Sequence, residues 1–583
     1  MSRIDVSDPA HARNQRKLGG HPIGLYILFF TELWERFSYY GMRAILVLFL
    51  VDVISGGGMG WSNADALGLY GWYTMAVYVA SIPGGILADR LLGQKKTVML
   101  GGLLLCAGHL VLAIPSDIAF FCGLGLIVLG VGGLKPNIST MVGGLYKQGD
   151  ASRDQGFTIF YIGINIGAFL AGLVVASVAQ AYGWHAGFGL AGIGMLVGQA
   201  VYMMGQRYLK GVGDYEAPEQ GEGGRGEKSL TKVEKDRIVV LLLSFLIIIV
   251  FWGAFEQAGG LMNLYAQYKT DRVLEMFNFT VPAGWFQSVN SFFIITLGTA
   301  IGAFWIRWRK KGREASSLFK MAWGTIIMGL GFLFMAYASV QAGSEPFGKA
   351  GMIWLVLAYL LHTIGELSAS PVSLSFITKL APAKYAAIMM GCYFAATGFG
   401  NKVAGTIGEA SQPEPIKVEL TADGREVLQA VGDSAVMNDE SLVFQGVIYP
   451  ENGDVTVLNW LDEEEKAGSK SLAGIFAVEK ESKDRLTEIF KEGEVGPTNP
   501  YHFRITMEKD KDAKNKPDNV KGDGKTYEGD MSIEEVSNQQ ERKTFLMITI
   551  FTAIFGILLL IFLKKLKALT HNAEEVEESA ETA

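Results

Sequence analysis

Cysteine is scarce in this chain. Only three occur among 583 residues, and Cys106, Cys122 and Cys392 each lie inside an apolar run, where no oxidising compartment would pair them. Disulfides are not expected. Enzyme signatures are lacking too: there is no nucleophile–base set, no metal-ligand cluster and no phosphate-cradling loop. The expectation is therefore no enzyme, no metal, no cofactor and no nucleic-acid partner. The first twenty residues are polar and hold no apolar stretch before a cleavage site, so no signal peptide is expected. Lysine and arginine, finally, are nearly absent from every second connection between apolar runs.

Apolar sequence is what the chain has in excess. Half of its residues are apolar and glycine occurs 72 times. Apolar runs of about 20 residues recur, each long enough to cross a hydrocarbon core of roughly 30 Å. Lipid offers backbone N–H and C=O groups no partner, and continuous rather than alternating runs read as helices. Twelve spans are expected, roughly at 23–51, 65–88, 97–115, 118–146, 155–181, 187–209, 236–266, 283–307, 318–340, 350–378, 385–409 and 544–563.

Basic residues set the orientation. One series of connections carries Arg90, Lys95 and Lys96, then Lys147 and Arg153, then Arg207, Lys210 and Lys235, then Arg307 to Arg313, then Lys379 and Lys384. The alternate series has Lys269, Arg272 and Lys349 as exceptions. Both termini fall on the basic side and are expected in the cytoplasm of a bacterial inner-membrane protein. The chain divides into a six-helix bundle at 1–210, a Gly- and charge-rich linker at 211–235, helices seven to eleven at 236–410, an outward insertion at 411–540, and helix twelve with a tail at 541–583. Alternating stretches at Leu442–Phe444 and Val455–Leu458 predict strands in the insertion, and Lys509 to Asp530 reads as mobile because it is poor in apolar residues. Two six-helix halves suggest the major facilitator fold, with substrate held between the halves near the midplane. The turn Gly85-Ile86-Leu87-Ala88-Asp89-Arg90-Leu91-Leu92-Gly93 resembles that superfamily's loop motif.

Charges inside apolar spans carry the functional reading, because each costs roughly 2.5–3.5 kcal/mol at the bilayer centre unless it is paired or faces a polar cavity. Span one places Glu32, Glu35, Arg36, Tyr39, Tyr40 and Arg43 on one broad helical face. An internal ion-pair ladder is the structural alternative. Lys135 in span four needs a carboxylate, with Glu32 or Glu35 the expected partner. Asn165 and Tyr78 are polar interruptions that, taken singly, read as helix–helix contacts. The second half supplies Glu256 and Glu366, with Asn290 nearby in pattern and Pro371 placed to open the helix after Glu366. Cations from one half and carboxylates from the other suit a zwitterion whose ends lie several ångströms apart, such as a short peptide. His109 and His362 read as packing groups; the roles of His362 and of Lys402, which stands near Glu409, stay open.

Several strings resemble one family. Glu32-Leu-Trp-Glu35-Arg36-Phe-Ser-Tyr39-Tyr40-Gly41, Phe160-Tyr161 to Gly167, Trp285 to Asn290, and Gly365-Glu366-Leu367 to Ser370-Pro371 are similar to motifs of the proton-dependent oligopeptide transporters. The resemblance implies symport of di- and tripeptides with protons by alternating access, the proton being the coupling ion. It implies that Glu32, Glu35, Arg36 and Lys135 couple the proton. It further implies that Arg36, Arg43 and Lys135, with Tyr39, Tyr40 and Tyr78, meet the peptide carboxylate. Asn165, Asn290 and Glu366 would hold the amine, Trp252 and Ser370 would complete the pocket, and Glu256 would pair with Arg43 across an outer gate. Animal members carry a histidine in span two where this chain has Gly71, and many bacterial members have two extra helices that the linker is too short to supply. Transport of another anion or zwitterion, and a peptide receptor using the insertion, are the alternatives. Side-chain preference, proton stoichiometry, oligomeric state and the insertion's role are not readable.

Overall fold

A computed structural model describes residues 11–15, 17–52, 57–59, 61–147, 150, 152–215, 230–342, 349–382, 385–412 and 539–571, with short strands between 416 and 531. Among the described residues twelve long helices form: α1 Ile23–Val51, α2 Asn63–Leu92, α3 Gln94–Leu112, α4 Asp117–Gly144, α5 Ser152–Tyr182, α6 Trp184–Met204, α7 Lys232–Tyr268, α8 Ala283–Lys310, α9 Ser317–Ala342, α10 Ile353–Leu380, α11 Ala386–Ala410 and α12 Gln539–Leu569. Ten are long and apolar enough to cross a membrane on composition alone. The other two are α1, with four charges, and α11, interrupted by Asn401, Lys402 and Glu409. The protein is an integral membrane protein.

Local chemistry explains several boundaries. The Ser62 hydroxyl accepts from the Asp65 N–H to start α2. Thr231 and Glu234 form a reciprocal capping box, so residues 232–235, expected in the linker, are the first turn of α7. Helix α7 is broken at Glu256–Ala258, where a 3-10 turn leads into Gly259 and Gly260. A Cβ at Gly259 would lie 1.9 Å from the Tyr70 hydroxyl, so a glycine here lets α2 press onto the break. In α4, Asn137, which follows Pro136, donates through Nδ2 to the Gly133 carbonyl one turn back and to the Gly84 carbonyl of α2. That bond fixes the α2–α4 approach around Lys135. Pro371, expected to open α10, leaves the helix continuous to Leu380.

Contacts between helices reveal a two-fold relation. In the first half α1 packs on α5 and α6, and α3 on α4 and α6; in the second, α7 packs on α11 and α12, and α9 on α10 and α12. Adding six to each label converts one set into the other. The halves meet along α2–α11 and α5–α8, and the same operation exchanges those two seams. This is the major facilitator arrangement, with its axis along the membrane normal.

Side-chain bonds between the halves cluster at one end, that of Val51, Tyr182 and Tyr268. Asn263 Nδ2 donates to the Ala44 carbonyl at 2.9 Å, Ser288 Oγ to the Phe169 carbonyl at 2.7 Å, and Trp285 Nε1 to Ser177 Oγ at 2.8 Å. The end bearing Val51 and Tyr268 is therefore the closed one. It lies opposite the basic connections.

Within the insertion seven strands are described: β1 Ile416–Glu419, β2 Ser441–Phe444, β3 Tyr449–Glu451, β4 Asp454–Thr456, β5 Phe476–Val478, β6 Tyr501–Met507 and β7 Thr526–Met531. Five form a sheet in the order β5-β6-β7-β1-β2, with antiparallel pairing, and β3 and β4 form a hairpin. The expected strand at Leu442–Phe444 falls in β2, and that at Val455–Leu458 overlaps β4. Lys509 to Asp530 requires correction: its end, Thr526–Asp530, belongs to β7, which pairs with β6 from Thr526 to Met531. Backbone pairing with β6, joined by β1 at Asp530, holds these five residues extended. The rest of the stretch lies outside the described residues.

Candidate functional site

The seams enclose a cavity of about 150 Å³ at the level of the α7 break. Of the expected site residues, Tyr40, Arg43, Tyr78, Asn165, Trp252, Glu256, Asn290, Glu366 and Ser370 line it. Both halves contribute, as a site between bundles requires.

Its wall toward the closed end is an ion pair. Arg43 Nη1 lies 3.2 Å from both Glu256 carboxylate oxygens, and the Tyr70 hydroxyl donates to Glu256 Oε2 at 2.9 Å. Arg43 also lies 4.8 Å above the Tyr40 ring. Three side chains from α1, α2 and α7 thus bridge the halves with matched charge. Such a pair is stable only while both partners stay together, because separating buried partners leaves each charge uncompensated.

Across the cavity Glu366 meets no matching cation among the described residues. Asn290 Nδ2 donates to its Oε2 at 2.8 Å and to Thr363 Oγ1 at 3.0 Å. Among the described residues no lysine, arginine or histidine nitrogen stands within 4 Å of Glu366. Ser370 continues the same stripe one turn on. Asn165 Nδ2 is held by the Tyr161 carbonyl of its own helix at 2.9 Å. The cavity therefore presents a carboxylate without an ion-pair partner, ringed by amide and hydroxyl groups and by the aromatic surfaces of Trp252 and Phe255.

Five expected residues, Lys135 among them, do not line the cavity. Glu32, Glu35, Arg36 and Tyr39 are buried in the first bundle, behind the cavity wall. Arg36 Nε pairs with Glu32 at 3.0 Å and also with Glu35. The expected Lys135–glutamate pair does not form. Lys135 instead holds its ammonium 3.7 Å over the Tyr78 ring, at longer electrostatic range from both glutamates. The guanidinium of Arg36 reaches its own helical neighbours, which leaves Lys135 the aromatic face. These four ionisable groups still balance, two positive against two negative. Tyr39, the neighbour of Tyr40, is turned about 100° away by the helix and packs edge-on against it at 5.5 Å.

Sequence reasoning missed Tyr70, Tyr161, Gln287 and Tyr359. The last three line the cavity. Tyr161 and Gln287 stand inside the motif strings, and Tyr359 lies seven residues, two helical turns, before Glu366. That spacing was a usable signal. Tyr70 carried none beyond being a phenol in an apolar span. Gly71 meets Gly405 so closely that a Cβ on it would lie 2.9 Å from the Gly405 Cα, which leaves no room for the animal members' histidine. His362 packs 4.5 Å from the Phe332 ring, and Lys402 turns its ammonium 4.8 Å over Trp72 rather than pairing with Glu409.

A family model described as the POT family matches residues 95–218 and 226–419. The chain belongs to the POT family. A transporter of Bacillus subtilis (strain 168), named uncharacterized transporter YclF, is 36% identical over 459 residues, spanning 70% of this chain and 92% of that protein. The di-/tripeptide transporter of Lactococcus lactis subsp. cremoris is 34% identical over 444 residues, spanning 66% and 88%. A crystal structure of a peptide transporter POT in complex with sulfate superposes with a TM-score of 0.65 at 36% identity, covering 70% of this chain and 92% of that one. These POT-family proteins are transporters, not enzymes, and seven-tenths of this chain accounts for nearly all of the Bacillus relative's length.

Proposed function

We propose that this POT-family member carries di- and tripeptides into a bacterial cell together with protons, alternating access between the two sides of the inner membrane. The observation that carries this reading is Glu366: a cavity carboxylate with no ion-pair partner among the described residues selects a ligand with a positive group, and a peptide amine supplies one. Named relatives that transport peptides support the substrate class. Both termini are assigned to the cytoplasm because the basic connections lie on their side. The closed end then faces outward.

Within this reading Arg43 and Glu256, steadied by Tyr70, form the outer gate. Asn165, Asn290 and Glu366 receive the peptide amine, while Tyr40, Tyr78, Trp252 and Ser370 shape the pocket. A peptide carboxylate entering beside Tyr78 attracts Lys135 and, behind it, Arg36. Those cations otherwise offset Glu32 and Glu35. Drawing them toward the substrate strengthens the affinity of a glutamate for a proton, which links loading to protonation. Tyr39 supports this cluster from behind. The proton is the only coupling ion in the scheme.

Uptake of labelled dialanine into proteoliposomes, with and without an inward proton gradient, tests the proposal. Gradient-dependent accumulation is expected. Accumulation of a non-peptide anion, with dialanine excluded, would assign the cavity to another solute.

A further inference from the structure

Six exposed cations gather at one edge of the bundle, away from the cavity. Arg307, Lys310, Lys311 and Arg313 close α8 and its turn into α9, and Lys564 and Lys565 stand near the end of α12. The two groups are neighbours, since Lys567 Nζ lies 3.4 Å from Glu314 Oε2 and ties the end of α12 to the α8–α9 turn. Gly312 takes a left-handed φ of 68°, which reverses the chain sharply and keeps the cations on both sides of it close.

Acidic groups at this edge are already engaged. Glu314 accepts the Ser316 N–H at 2.8 Å as well as the Lys567 ammonium, and Asp236 lies 2.7 Å from His571 Nε2. Directly toward the membrane interior the surface becomes apolar: Phe304 and Ile306 on α8 are 48% and 59% exposed, and Ile561 and Phe562 on α12 are 67% and 48% exposed. Two indoles stand at the boundary. Trp308 Nε1 donates to the Glu314 carbonyl at 2.9 Å, and the Arg313 guanidinium lies 4.4 Å over its ring. The Lys320 ammonium lies 5.7 Å over Trp305. An apolar band, an indole layer and then cations repeat the layers of a lipid leaflet: acyl chain, interface, headgroup phosphate.

We propose that this edge, built from the α8–α9 turn and the end of α12, binds the headgroup of an anionic phospholipid. The tendency of basic loops to stay on one side explains why cations occur on this face. It does not explain their convergence from two separate helices above an indole shelf, beside carboxylates that have other partners.

Native mass spectrometry of the full chain, offered equal amounts of phosphatidylglycerol and phosphatidylcholine with matched acyl chains, reads the retained lipid. Preferential retention of phosphatidylglycerol is expected. A Lys310→Gln/Lys311→Gln/Arg313→Gln variant that elutes and melts like the parent should lose at least about tenfold of that preference. Arg90→Gln/Lys96→Gln, which neutralises two exposed cations of another basic connection, should leave it intact. Equal loss in both variants would mean diffuse attraction and overturn the proposal. Displacement of the lipid by equimolar inorganic phosphate would overturn it in favour of a free anion. So would phosphatidylglycerol preference appearing only after removal of residues 574–583, five of which are glutamates, since the edge would then serve the chain's own tail.

Discussion

Replacing Glu366 by Gln keeps the shape of the side chain and leaves an amide oxygen to accept from Asn290, whose 2.8 Å bond is the carboxylate's hydrogen bond in the cavity. What disappears is the charge. A hydrogen bond to a charged group contributes roughly 1.5–3 kcal/mol, and a cavity shielded on its closed side belongs to the upper half of that range. A loss of roughly 2–3 kcal/mol is about 30- to 160-fold in Kd. Titration calorimetry of the purified protein with dialanine should show that loss. N-acetyl-dialanine, which has no ammonium group to place against Glu366, should bind parent and variant within about threefold, since only a neutral contact changes. The comparison separates charge recognition from general damage to the cavity. If both ligands weaken by the same factor, Glu366 does not read the amine, and the main support for a peptide substrate fails.

Lys135→Ala should abolish accumulation of dialanine under a proton gradient while preserving counterflow in the same liposomes, because exchange needs no net proton movement; normal accumulation would refute the coupling scheme. Gly71→His should lower the melting temperature and block counterflow, since a Cβ 2.9 Å from the Gly405 Cα forces α2 and α11 apart at a cost of at least about 1–3 kcal/mol. Partial burial alone would raise the Glu314 carboxyl, but hydrogen bonds from Ser316 and the Lys567 ammonium hold it below its ordinary value of 4.5. A depressed carboxylate stabilises the fold above that value and stops doing so as pH falls through the folded one, so Glu314→Gln should lower the melting temperature slightly at pH 7 and not at pH 3. Deleting residues 413–538 and joining the ends with a flexible linker should preserve dialanine uptake in correctly inserted protein, because every described cavity-lining residue lies outside that stretch.

What could be read from sequence follows from what lipid makes expensive. A backbone crossing a bilayer has to satisfy its own hydrogen bonds, so helix number and order were legible, even for α1 and α11, which composition alone would not pass. For the same reason Glu32, Glu35, Arg36, Arg43, Lys135, Glu256 and Glu366 stood out: each is a charge that an apolar span would not hold without a purpose. Insertion cost shows that a charge needs compensation but not which group supplies it. Lys135 makes the point, since two glutamates were equally plausible partners by spacing and both are held by Arg36, leaving an aromatic ring for the ammonium. The choice rests on side-chain reach within a helix against reach between helices, and only packing fixes the second. Tyr39 and Tyr40 differ by one residue and about 100° of helix rotation, yet one meets Arg43 at the cavity and the other lies behind the wall. That rotation is set by small-residue contacts such as Gly41 against Val175 of α5, which a single sequence does not pair. The α7 break shows the same limit from the backbone side. Span seven read as one uninterrupted run, and only the fold shows the Tyr70 hydroxyl pressing in from the other half against Gly259 to reach Glu256. The proposed gate therefore depends on a contact between residues 186 positions apart. Its chemistry was legible from the residue types, and its assembly only from the fold.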